Sequence, residues 1–257
     1  AIIILCLVNC KSSTVPGWQQ KNNELIKQYE LTERELSGLP EIPIGSNLEP
    51  GKVKSLDSLA SVTLHPGVIA KIFWGSGNMV STLHLQPGAK IPEEVLPADR
   101  FLFVLEGSID QLINGSAVTM ISTKREDPDG THSGTPRNDF LYLEKGIRNS
   151  LTAGASGAKL LEVYSPLRSD YLQKAGIKDL PVEIADVTST MEPNIKPNTV
   201  YDLYDIQFTN IAEGAHTRLI SGRNTQLSFI TMDPQSVFPH HIHPEEQVMF
   251  VLRGECD

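Results

Sequence analysis

Cysteine is scarce, with three in 257 residues: Cys6, Cys10 and Cys256. Two of them fall in the first ten positions, so neither a disulfide framework nor a thiolate zinc site can be assembled. Basic residues are in deficit, 22 Lys and Arg against 31 Asp and Glu, for a formal charge of -9. Binding a polyanion needs a basic face, and nucleic acid is therefore excluded as an expected partner. No apolar run approaches the roughly 20 residues of a membrane-spanning helix. What the chain has instead is 40% hydrophobic and 21% charged residues, with Gly 19 and Pro 17 spread along it. Turn formers recurring between short apolar runs favour strands over long helices.

The apolar stretch Ala1–Asn9 reads as the tail of a signal-peptide h-region. Leu7-Val8-Asn9-Cys10 resembles a bacterial lipoprotein box, although Asn9 replaces the usual small residue. The resemblance implies lipidation at Cys10, a cell-envelope or periplasmic location, and membrane contact only through that anchor. If the chain is cleaved at Cys10, the leading segment takes no part in the fold. Residues 11–50 then form a tether and one helix. Ser13-Thr14 caps it, Pro16 lies in its first turn, and the Pro- and Gly-rich stretch from Gly38 to Gly51 ends it.

An internal repeat organises the remainder. At an offset of 147, Lys71–Asp110 aligns with Arg218–Asp257 without a gap. Gly75/Gly222, Ser81/Ser228, Pro87/Pro234 and Pro92/Pro239 are identical pairs. So are Phe103/Phe250, Val104/Val251, Leu105/Leu252, Gly107/Gly254 and Asp110/Asp257. Repetition of turn and strand residues in one frame implies two related domains in tandem. The first copy predicts a strand at Met79–Leu85, a turn at Gln86-Pro87-Gly88 and a buried strand Phe101–Leu105 closed by Glu106-Gly107. Further strands are expected at Ala117–Ile121, Phe140–Leu143 and Lys159–Val163, with a loop from Lys124 to Arg137. The second copy repeats Leu227–Met232, Asp233-Pro234 and Val248–Leu252, then has only Glu255, Cys256 and Asp257 after Gly254. The expectation is that the natural chain runs on past Asp257 and that the second domain is incomplete here. The layout is a leader remnant (1–10), tether and helix (11–50), first domain (51–170), linker (171–200) and second domain (201–257).

Three histidines lie in Pro239-His240-His241-Ile242-His243-Pro244-Glu245-Glu246-Gln247. In a strand, His241 and His243 share one face while His240 and Ile242 take the other. Two imidazoles at that spacing can reach one divalent cation, with Glu246 or Gln247 as a further donor. Chance clustering would not explain why the group falls on the frame set by Pro239 and Gly254. The pattern Pro-x-His-x-His-x3-Gln-x6-Gly resembles the first metal motif of the cupin superfamily. That resemblance implies an all-β fold of tandem cupin jelly-roll (double-stranded β-helix) barrels with an N-terminal helix, the second barrel truncated. It also implies His241, His243 and Gln247 as ligands of one divalent transition metal (Mn, Fe, Ni or Zn), with a fourth ligand beyond Asp257.

In the first copy Glu94, Leu96 and Arg100 take the three ligand positions, and Asn149 falls where the fourth histidine would be. The resemblance therefore implies a first barrel without metal. Glu94 and Arg100 are expected either to pair as a structural ion pair at the barrel mouth or to contact a carboxylate ligand. His65, His84, His132 and His216 are isolated and are assigned no site.

Residues Leu227–Gly254 are similar to small cupins that linearise unsaturated uronates. The two-domain layout is similar to the ureidoglycine aminohydrolase family, whose metal motif begins with Glu where this chain has His241. The expectation is metal-dependent isomerase or hydrolase chemistry on a small polar substrate, of the sugar-acid kind. A cupin dioxygenase and a non-catalytic sugar-binding or structural bicupin are the alternatives. Cupins commonly pair through their barrels, so a homodimer is compatible with this reading.

Overall fold

The computed structural model describes residues 2–7, 46–49, 51–75, 77–123, 137–178, 192–238, 241 and 246–255. The helix expected over residues 13–36, Cys10, His243 and the loop 124–136 lie outside the described residues. The chain divides into two compact units, one of residues 43–205 with 222–224, the other of residues 1–42, 206–221 and 225–257.

The first unit begins with strands β2 (Ser61–His65), β3 (Val68–Trp74) and β4 (Met79–Leu85), joined by short turns into an antiparallel meander. Then follow β5 (Lys90–Val95), β6 (Asp99–Ile113), β7 (Ser116–Thr123), β8 (Arg137–Leu143) and β9 (Arg148–Ser165). A short helix, α1 (Ser169–Lys174), and strand β10 (Val200–Asp202) complete it. Every ladder in this unit is antiparallel.

Two long strands make the architecture. The first part of β6, Arg100–Phe103, pairs with β8 on one side and β9 on the other; its last part, Gly107–Ile113, pairs with β7 and the beginning of β9. In the same way β9 serves β4 with its C-terminal half and β5 with its N-terminal half. Each long strand thus joins two groups of strands within one nine-stranded sheet, which is how a jelly roll closes on itself. The bend falls at bulges between Val104/Glu106 and Gly107/Ile109. There Gly107 has φ 78°, and a Cβ on it would run into the carbonyl oxygen of Gly157. Only glycine combines that left-handed conformation with so close a backbone approach.

The core explains the apolar run read in the sequence. Phe101, Leu102, Phe103 and Val104 are all buried, so this stretch is covered on both faces rather than alternating. Phe103 stacks on Phe140 with ring centroids 5.1 Å apart, and Phe101 lies 4.7 Å from Tyr142. Burying each such side chain contributes about 1.5–3 kcal/mol.

Several boundaries differ from the expectations. Glu106-Gly107 does not close the strand begun at Phe101; β6 runs on to Ile113, because a glycine at positive φ inside a ladder bends a strand without ending it. The strand expected at Lys159–Val163 is the second half of an 18-residue strand. Strand β5 was not foreseen, since Lys-Ile-Pro-Glu-Glu-Val carries a proline and two acidic residues, and α1 falls partly where a linker was expected.

The opening strands of the second unit repeat those of the first with the same boundaries. Its strands β11 (Phe208–Ala212), β12 (Ala215–Ser221) and β13 (Gln226–Met232) have the boundaries of β2, β3 and β4 shifted by 147. Even the bulge recurs, between Thr63/His65 in one unit and Asn210/Ala212 in the other. Strand β14 (Gln247–Arg253) matches Arg100–Glu106 in the same frame, and Ala215, Ile230 and Met232 form a small core with Ala212 and Phe238 against it.

Between β13 and β14 lies β1 (Ile2–Leu7), parallel to both. In the first unit the strand between β4 and β6 is β9, with Tyr164 opposite both Met79 and Arg100. In the second unit Ile2 stands opposite both Gln226 and Gln247, the equivalents of those two residues. The correspondence continues to Leu7 opposite Thr231 and Arg253, across the same bulge. Strand β1 therefore fills the β9 position, but with the reverse polarity. The segment kept outside the fold on the assumption of cleavage at Cys10 is, in this chain, a central strand. Its β-branched run suits a ladder, and both neighbours present backbone groups that need partners.

Candidate functional site

In the first unit the positions aligned with metal ligands hold a buried charge cluster. Arg100, near the start of β6, is fully buried. Its Nη1 lies 3.5 Å from Oε1 of Glu162, also fully buried, and Tyr164 is its other polar neighbour. Glu162 on β9 accepts from the Ser81 hydroxyl at 2.8 Å and the Tyr164 hydroxyl at 3.0 Å.

Glu94 on β5 is held by Arg168, which donates from Nη1 to Oε1 at 3.1 Å and from Nη2 to Oε2 at 2.7 Å. The same guanidinium donates from Nε and Nη2 to the two carboxylate oxygens of Asp170, at 3.0 and 2.6 Å, and from Nη1 to the Tyr164 hydroxyl at 3.1 Å. It also sits over the ring of Tyr171, 4.0 Å from the centroid. The expected Glu94–Arg100 ion pair is therefore not formed. Glu94 pairs with Arg168, 74 positions away, and Arg100 faces Glu162. Arg168 and Glu162 carried no sequence signal, because the fold alone brings β5, β6, β9 and the start of α1 together.

The electrostatics follow from burial and pairing. Burial, then the charge of Glu162, pushes the Tyr164 hydroxyl up to about 12, and Tyr171 is also well above its ordinary value. Burial alone would lower Arg100, but Tyr164 and Glu162 outweigh it and keep the guanidinium charged. At Asp170 burial works upward, while the hydrogen bond and charge of Arg168 prevail and hold the carboxyl below the usual carboxylate range. A lowered folded value means that Asp170 stabilises the fold above the unfolded carboxylate pKa of about 3.9 and loses that contribution as pH falls through the folded value. Asp170→Asn is thus expected to melt below the parent protein at neutral pH, with the gap closing below about pH 4. Melting temperatures across an acid series check this; a constant gap would show that the ionised carboxylate is not responsible.

In the second unit His241 is exposed, with its ring 5.2 Å from that of Phe238, and Gln247 is half-buried at the start of β14. His243 lies outside the described residues. Among the described residues no group of three or more His, Cys, Asp or Glu is placed to hold a metal ion. His216 donates from Nδ1 to the Asn210 side-chain oxygen at 2.6 Å, a surface role. By the offset of 147, His241 and Gln247 stand at the positions of Glu94 and Arg100. In the first unit those two positions converge on one cluster, Glu94 through Arg168 and Tyr164, Arg100 through Glu162. Imidazole nitrogens and an amide oxygen are a donor set of the kind that divalent transition metals accept.

No family model matches the sequence, and comparison with curated proteins gives no match. Among solved structures, an RmlC-like cupin from Shewanella frigidimarina matches at 12% identity and TM-score 0.39, over 50% of this chain and 99% of that one. KdgF from Halomonas sp. matches at 13% and 0.38, over 47% and 98%. A deletion mutant of the oxalate decarboxylase OxdC from Bacillus subtilis matches at 15% and 0.40, over 81% of this chain and 60% of that one. The jelly roll is read from the strand pairing of the first unit itself, and the second unit repeats its opening strands.

Proposed function

We propose that the protein acts on a small polar substrate at a single divalent transition-metal centre in its second unit, held by His241, His243 and Gln247. The observation that supports this is the coincidence of strands at offset 147, with His241 and Gln247 at positions whose counterparts converge inside the first unit. The three side chains are neutral donors, so a bound metal retains more of its charge and serves as a Lewis acid toward carbonyl, hydroxyl or carboxylate oxygens. The two imidazoles and the amide would hold the ion and leave its other positions to the substrate. A sugar acid suits such a centre, because its carboxylate and hydroxyls supply oxygen ligands, and isomerase or hydrolase chemistry is the reading adopted.

The chain purified without chelator is expected to carry about one metal per molecule by elemental analysis, and His241→Ala with His243→Ala to carry essentially none. Retention of metal by the double variant would place it elsewhere; no metal in the parent protein would leave a non-catalytic binding or structural bicupin. Turnover of an unsaturated uronate, followed by the loss of its ultraviolet absorbance, tests the substrate class. Oxygen uptake with a redox metal would replace this reaction with a dioxygenase.

A further inference from the structure

We propose that Asn114 is a site of spontaneous covalent modification, at which the backbone nitrogen of Gly115 closes a succinimide ring that opens to aspartate or isoaspartate. Asn114-Gly115 is the one Asn-Gly pair in the sequence. It forms the whole of the two-residue turn between β6 and β7, with Ile113 opposite Ser116. Both residues are left-handed, with φ 48° at Asn114 and 84° at Gly115, as the tightest hairpin turns require. Both are exposed, so water and base reach them. Asn138 and Asn149 are followed instead by Asp139 and Ser150, whose side chains crowd the attacking nitrogen, and Asn149 is buried.

Nucleophile and electrophile are both prepared. Gly115 has no side chain beside its nitrogen, and a Cβ built on it would meet nothing within 4 Å, so the ring has room to form. The electrophile is Cγ of Asn114. Its Oδ1 accepts from the backbone N–H of Arg148 at 3.1 Å, while the Asn114 backbone N–H donates to the Arg148 carbonyl at 2.8 Å. That pair of bonds holds Asn114 against the start of β9 and sets a donor on the oxygen where negative charge gathers during addition.

The step balances with water alone. The Gly115 nitrogen yields its proton to water or hydroxide and bonds to Cγ; the Cγ–Nδ2 bond then breaks, and Nδ2 takes up a proton and leaves as ammonia. Water next opens the ring. Attack at Cγ leaves aspartate, and attack at the main-chain carbonyl carbon leaves isoaspartate, with the chain routed through Cβ and Cγ. Either product adds one negative charge. Aspartate keeps an oxygen for the Arg148 N–H and is itself a preferred partner of glycine in this turn. Isoaspartate adds a backbone carbon to a two-residue turn, so the Asn114–Arg148 bonds and the Ile113–Ser116 closure cannot both hold. The reaction needs nothing from the metal centre proposed in the second unit.

The test incubates the full, folded chain at mildly alkaline and mildly acidic pH, with a parallel sample unfolded in urea, and maps the peptides by mass spectrometry. In the folded chain the exchange of amide for hydroxyl is expected at Asn114 ahead of every other asparagine. It is expected to be faster at the alkaline pH, because the Gly115 nitrogen must lose its proton. Isoaspartyl methyltransferase is expected to label the same peptide, which marks passage through the ring. Asn114→Gln, whose extra methylene disfavours ring closure, is expected to lose the signal at this position. Modification of Asn114 in urea but not in the folded chain would show that the turn protects the amide and would overturn the proposal. Earlier modification at another asparagine, or a mass change at Asn114 without the isoaspartyl label, would overturn it as well.

Discussion

Glu162→Ala is expected to cost about 3–5 kcal/mol, because it leaves the Arg100 charge buried and uncompensated. The Ser81 and Tyr164 hydroxyls lose their acceptor in the same step. Replacing both members of the pair, Arg100→Met with Glu162→Leu, is expected to cost much less, since two apolar side chains remove the desolvation penalty together with the attraction. Urea unfolding of the parent, both single variants and the double variant measures this as a thermodynamic cycle. A double variant as unstable as Glu162→Ala would show that the loss comes from packing and not from an unpaired charge.

Gly107→Ala is expected to cost about 2–5 kcal/mol. An L-residue pays about 1–2 kcal/mol for the left-handed conformation that Gly107 holds at φ 78°. The methyl group would in addition strike the carbonyl oxygen of Gly157, backbone of the neighbouring long strand, and relief by backbone displacement costs typically 1–3 kcal/mol. Gly88→Ala is the control. Gly88 has φ 70°, yet a Cβ there would meet nothing within 4 Å, so only the conformational part should appear. Thermal unfolding of the two variants reads the difference, and equal losses would mean that the contact with Gly157 relaxes at no cost. The comparison matters for architecture, because the Gly107 bulge is where β6 passes from one group of strands to the other.

Much of the scaffold was legible because the repeat fixes it twice. A gap-free frame of Gly, Pro and Phe-Val-Leu positions gave β4 and β13 and the core of β6 and β14, and the structure adds that β2 and β11 obey the same offset. Gly107 reads in the sequence as a terminus, since sequence shows that a residue permits positive φ and does not show whether pairing continues beyond it. The same limit applies to the charges. Arg100 and Glu94 were marked by the frame, but their partners were not, because an ion pair across 74 positions depends on where β5 and the start of α1 meet. Glu162 lies in Leu160-Leu161-Glu162-Val163-Tyr164, where alternation reads it as an ordinary strand residue; only its complete burial shows otherwise.

The reversed strand of the second unit carries a consequence for solubility. An interior ladder position normally has one direction of travel, yet residues 2–7 satisfy both neighbours with the opposite one, so register and apolar character count there for more than polarity. Two strands consequently depend on one six-residue segment for the pairing of their facing edges. Without that segment, β13 and β14 present facing rows of unpaired backbone groups. Open edges of this kind recruit strands from other molecules. Residues 2–7 thereby shield the facing edges of β13 and β14 from pairing with strands of other molecules.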